Sequence, residues 1–171
     1  PRHLGGVRRS PSGGAHEVVS PAWRGPRVAL GYSRYVLSDG RGAGAVHAAH
    51  FAGWFPFGRC RMGGLAEAGS RSYALGPDDA IVRAAVTLGY QHLPGLGPGV
   101  PYVVATGSGG ITFARRFHTP VTELLLGGGL EAGVDLRLVR TLFLGVGLSF
   151  LHLQLGATAH DIFMVQARVG L

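Results

Sequence analysis

From Leu124 to Leu136 every even position is Leu, Gly, Ala or Val, while the odd positions include Glu123, Gly127, Gly129, Glu131, Gly133, Asp135 and Arg137. That period of two predicts a β-strand. After "RLVR" the alternation resumes, with Leu142, Leu144, Val146, Leu148 and Phe150 on one side and Gly145, Gly147 and Ser149 on the other. Two strands joined by a tight turn follow from the pattern.

The same signal recurs along the chain at intervals that suit a meander. "RVALGYSRYVL" predicts a first strand with Val28, Leu30 and Tyr32 on one face and Ala29, Gly31 and Ser33 on the other, before a turn at "SDGRG". "AGAVHAAHFAGWF" and "CRMGGLAEAGSRSY" give a second and third strand around a turn at "PFGR", and "AIVRAAVTLGYQHL" a fourth after "ALGPDD". A fifth covers about Val100 to Ala114, where Gly107, Gly109 and Gly110 point to a bulge or strong coiling. "RRFHTP" leads to the sixth, "RLVR" to the seventh, and "GATAHD" to the eighth, "IFMVQARVGL". Eight strands can close into an up-and-down barrel with both chain ends on one side.

Composition decides which kind of barrel. Charged residues make up only 15% of the chain against 46% hydrophobic, with 30 glycines, so a dense Lys/Glu surface of the soluble type is absent. Gly, His and Gln interrupt the most apolar stretch, Leu142 to Leu155, leaving no run long enough for a membrane helix. A closed barrel is the other structure that spans a bilayer. A lipocalin-like barrel around a small-molecule cavity is the soluble alternative, and it is inside out relative to a membrane barrel. The glycines opposite the leucines discriminate: on a water-facing surface they weaken a strand, whereas a narrow lumen needs small residues around a few long side chains. The leucine face is therefore expected to meet lipid.

On the "GGGLEAGVDLRLVRTLFLGVGLSF" hairpin and the C-terminal "FMVQARVGL", residues 27–171 resemble the eight-stranded outer-membrane β-barrel superfamily of Gram-negative bacteria. The resemblance implies an all-β, eight-stranded antiparallel transmembrane barrel in the outer membrane, in contact with its lipid or lipopolysaccharide. Such proteins usually end in an aromatic residue, most often Phe, and Leu171 departs from that pattern.

Assigning the non-leucine phase to the lumen places Arg61, Glu67, Arg83, Gln91, Glu131, Asp135, Gln166 and Arg168 inside. Buried charges must pair, because an uncompensated one costs several kcal/mol. A salt-bridged plug centred on Glu131 and Glu67, with Arg61, Arg83 and Arg168, is expected, in preference to a gated ion path. Trp54, Phe55 and Phe57, with Tyr90 and Tyr102, fall at one rim of the meander and are read as an interfacial belt.

Other chemistry is weakly supported. On a strand, the histidines of "HAAH", His47 and His50, point to opposite faces, so one metal cannot easily take both, and no metal or cofactor is expected. His152 and Ser149 resemble the Ser/His pairs of barrel enzymes that trim lipopolysaccharide acyl chains, but they have opposite parity and no acid is evident beside them. "GSGG" lacks the lysine and helix of a phosphate loop. A single cysteine, Cys60, excludes an intramolecular disulfide.

The net charge of +7 comes from 16 basic residues, all arginine. Residues 1–26 form a Gly/Pro/Ser/Arg-rich arm without periodicity. Its Arg2, Arg8, Arg9 and Arg24 suit an acidic protein partner or anionic headgroups. No aromatic-interleaved basic stripe or nucleic-acid motif accompanies them. The N-terminus shows neither a start methionine nor a signal-peptide pattern and is read as a processed or incomplete beginning. The expected role is a non-enzymatic structural anchor, with residues 1–25 docking on a periplasmic partner and no small-molecule substrate. The alternatives are a lipid-modifying hydrolase and the lipocalin-like binder.

Overall fold

Alternation gives each strand two chemically different faces, and the fold sorts them to the two sides of a closed wall. The computed structural model describes residues 25–39, 42–73, 78–92, 98–116, 119–139 and 141–171. Its strands are β1 (Arg27–Asp39), β2 (Gly42–Phe57), β3 (Cys60–Ser72), β4 (Asp79–Gln91), β5 (Gly99–Arg116), β6 (Thr119–Arg137), β7 (Phe143–Leu155) and β8 (Thr158–Gly170). Each is antiparallel to its sequence neighbour, and β1 closes on β8 with Ala29 opposite Gly170 and Arg34 opposite Val165. Both described ends of the chain meet at one rim, where Val28 and Leu171 exchange backbone hydrogen bonds of 3.1 and 2.9 Å.

The strands run longer than the sequence pattern marks them. β8 begins at Thr158, so most of "GATAHD" is strand and the turn is Gly156–Ala157. Gly156 and Gly58 hold φ of +57° and +58° in their tight turns, a conformation that costs a residue with a Cβ but not glycine. β5 and β6 likewise extend into "RRFHTP". Of the bulge or strong coiling expected at Gly107, Gly109 and Gly110, the bulge does not form: β5 stays in continuous register with both neighbours. Gly110 instead marks a close approach, since a Cβ there would overlap the backbone of Val82 and Arg83.

Leu126, Leu130 and Val146 point outward, 49%, 59% and 43% exposed, on a wall shared with Leu30, Val86, Leu148 and Phe163. Water would be a poor solvent for such a continuous apolar exterior. Strands of 13 to 19 residues exceed the 9–11 or so that span the hydrocarbon. The inward phase carries glycine where strands and long side chains crowd: a Cβ on Gly145 would meet Arg168 and Asp135 at 2.6 Å, and one on Gly147 would meet the Tyr102 hydroxyl at 2.7 Å. At Gly129 it would overlap the Phe150 carbonyl oxygen across the β6–β7 ladder. Gly129→Ala is expected to lower stability by roughly 1–3 kcal/mol through forced backbone movement, measured by denaturant unfolding of the refolded barrel.

The lumen is not uniformly polar, which corrects the expectation of only small and polar residues inside. Tyr35, Leu37, Val46, Leu125, Leu153 and Ile162 belong to one buried apolar cluster toward the rim opposite the chain ends.

Candidate functional site

The charged part of the lumen is the only chemically dense region among the described residues, and strand register assembles it in two groups. Nearer the chain-end rim, Asp135 of β6 accepts from Arg61 Nη1 of β3 at 2.7 Å and from Arg168 of β8 through Nη2 at 2.9 Å and Nε at 3.2 Å. Arg168 Nη1 also donates to Glu131 at 3.4 Å, and Glu131 accepts from the Tyr102 hydroxyl at 2.7 Å and Gln166 Nε2 at 3.4 Å. Gln166 Nε2 reaches Ser149 Oγ at 3.0 Å. Farther along the axis, Glu67 holds Arg83 through two bonds, 3.2 and 3.1 Å, and accepts from Ser33 at 2.5 Å and Tyr35 at 3.1 Å.

These residues are buried, so pairing decides whether they are tolerated. A buried ion pair gains little net stability, but removing one partner strands the other. Arg61, Glu67, Arg83, Glu131 and Arg168 all face the lumen. The arrangement differs from a plug centred on the two glutamates: Glu67 and Glu131 sit in separate groups, and Asp135 is the carboxylate that joins Arg61 to Arg168. Sequence reasoning placed Asp135 inside without that role, and missed the buried Ser33, His50, Arg71 and Asp79. All four lie on the inward phase of their strands, so parity was the available signal.

The belt requires a correction. Phe55 and Tyr90 are exposed on the outer wall, but Trp54 and Tyr102 are 5% and 2% exposed and face the lumen. Trp54 continues the inward series Ala48, His50, Ala52, and Tyr102 lies between inward Val100 and Val104. Grouping by rim height alone ignored that parity. Inside, the rings stack on cations: the Arg61 guanidinium lies 4.1 Å from the Trp54 ring centre and 4.0 Å from that of Tyr102, and Arg168 lies 4.8 Å from each. Desolvated contacts of this kind are favourable. They occupy space that water would otherwise fill, and the void beside Trp54, Arg61, Glu131 and Arg168 measures about 20 Å³, little more than one water needs.

The structure does not bring Ser149 and His152 together. Ser149 is buried in the lumen, whereas His152 is on the outer wall, with its Nδ1 2.8 Å from an Asp161 carboxylate oxygen on β8. The acid that the sequence reading found lacking is therefore present, but the serine is on the other side of the sheet. His47 and His50 take opposite faces, His50 inward and buried. No cluster of three His, Cys, Asp or Glu suited to a metal occurs among the described residues. Arg2, Arg8, Arg9 and Arg24 lie outside the described residues.

No protein-family model matches the chain, and no curated protein sequence matches it. Solved structures do. Neisserial surface protein A (NspA) superposes with a TM-score of 0.69 at 14% identity, over 85% of this chain and 94% of that one. The attachment invasion locus protein Ail of Yersinia pestis gives 0.58 at 12% identity, over 86% and 96%. The N-terminal β-barrel domain of Pseudomonas aeruginosa OprF gives 0.53 at 10%, over 84% and 95%. The fold is that of an eight-stranded outer-membrane β-barrel. In such a barrel the outward leucines of β6 and β7 meet hydrocarbon and the inward charges are shielded from it.

Proposed function

We propose that this outer-membrane barrel is a non-enzymatic structural subunit, anchoring an envelope assembly through the arginine-rich segment of residues 1–25 on the periplasmic side. The observation that carries the reading is the filled lumen: paired charges, stacked rings and an apolar cluster occupy it, and the void beside the charged group measures about 20 Å³. Connections at the rim opposite the chain ends are also short, with β1 ending at Asp39 and β2 starting at Gly42, and β7 ending at Leu155 and β8 starting at Thr158. Adhesive and receptor-binding functions usually need longer loops. With the connections at that rim so limited, the arginine-rich segment that precedes β1 is the part of the sequence assigned to a partner.

The test is a pull-down from envelope extract with the full chain and with a chain lacking residues 1–25. Loss of co-purifying protein on truncation, with the barrel still folded, is the expected result; unchanged retention sinks the docking role.

A further inference from the structure

We propose that the outer wall carries a site for a phosphorylated lipid of the outer leaflet, built on Arg34, His47 and Tyr32. Among strand arginines whose side chains are described, only Arg34 is exposed. Arg61, Arg83 and Arg168 face inward and are paired, but Arg34 has no hydrogen-bond or ion-pair partner among the described residues.

Its depth makes that unusual. With a rise of about 3.3 Å per residue and a strand tilt of roughly 40°, Arg34 sits about 18 Å above Arg27 at the chain-end rim, inside an apolar band of about 25 Å. Val36, 56% exposed, lies beyond it on the same face. A bare guanidinium is costly against hydrocarbon, and an anion within reach relieves that cost.

The neighbours suit a phosphate. His47 lies directly across the β1–β2 ladder from Arg34, and its Nδ1 is hydrogen-bonded to the Tyr32 hydroxyl. A Tyr32 hydroxyl that donates to Nδ1 makes Nε2 the protonated nitrogen, a second donor beside a guanidinium that can bind two phosphate oxygens at once. The polar sector is local. On β8 Arg34 faces Val165, and the Asp161 carboxylate four residues along is already engaged by His152. In the other direction the same register line runs from His47 through Ser70 and Ala80 to Phe113 on β5. Exposed Val165 stands directly across the β1–β8 ladder with Leu148 beside it on β7, and Leu30 and Val169 lie toward the chain-end rim, a wall suited to acyl chains. A guanidinium and an N–H donor above an apolar wall fit a lipid rather than free phosphate.

The inference rests on the reading that the chain-end rim is periplasmic. Cys60, exposed at that rim, tests the orientation separately: an impermeant maleimide should label it only after the outer membrane is permeabilised, and labelling in intact cells overturns both the orientation and the lipid assignment. The site is tested with the full chain refolded in maltoside micelles, following the unfolding midpoint during titration with bis-phosphorylated lipid A, dephosphorylated lipid A or inorganic phosphate. Lipid A alone should raise the midpoint by several degrees. Arg34→Gln should lose most of that rise, and Arg34→Lys should retain part of it. An equal rise in Arg34→Gln overturns the site. A rise with dephosphorylated lipid A removes the phosphate from the account, and one with inorganic phosphate alone removes the lipid.

Discussion

Asp135→Ala should destabilise the barrel by about 3–5 kcal/mol, the usual result of removing one partner from a buried ion pair. Arg61 and Arg168 would both lose the carboxylate that they share, leaving Arg168 with Glu131 at 3.4 Å and Arg61 with the rings of Trp54 and Tyr102. Denaturant unfolding of the refolded barrel measures the loss. Asp135→Asn should recover only a small part, because the amide keeps the shape but not the charge. Replacing Arg61, Asp135 and Arg168 together by apolar residues of similar volume should be far less damaging than the single substitution, since well-packed apolar replacements of buried ionic groups are often neutral or stabilising. If Asp135→Ala unfolds at the native denaturant concentration, the lumen charges are solvated and the interior is open.

The second large effect is on the outside. Leu130, near the middle of β6, stands between Ala105 of β5 and Phe150 of β7 on the outer wall. Leu130→Arg should cost roughly 2–4 kcal/mol in a bilayer, the depth-dependent penalty for a cation at mid-membrane. On a water-facing wall an exposed substitution usually changes stability by no more than about 0.5 kcal/mol. Reversible unfolding from liposomes distinguishes the two, and a near-zero difference would remove hydrocarbon from this face.

The β6–β7 hairpin was legible because its two faces differ so sharply: a two-residue period with leucines on one phase and glycines on the other specifies strand and solvent together. Inward parity likewise located Arg61, Glu67, Arg83, Glu131 and Arg168. Which of them touch was not legible, because the Asp135–Arg168 contact joins β6 to β8 and depends on how closure sets the register between strands. Trp54 and Tyr102 show a different limit. Aromatics near a rim belong to a belt only on the outward phase, and on the inward phase they become stacking surfaces for arginine.

Along β7 the pattern inverts. Below Ser149 the outward residues are Leu144, Val146 and Leu148 and the inward ones Gly145 and Gly147. Above it His152 and Gln154 are outward and Leu151, Leu153 and Leu155 inward. Alternation alone reports two faces, not a change of solvent on each. On this strand the outside turns polar and the lumen becomes apolar above Phe150.

The most direct test of the central claim is nitroxide accessibility at Leu126, Leu130, Val146 and Leu148, each substituted singly by cysteine in a Cys60→Ser background, spin-labelled and reconstituted in bilayers. The account predicts high relaxation by oxygen, which concentrates in hydrocarbon, and little by a water-soluble nickel chelate at all four sites. Strong relaxation by the chelate would place these leucines and valines in water, and weak relaxation by both would place them in a packed interior; either result contradicts a barrel whose leucine face meets lipid.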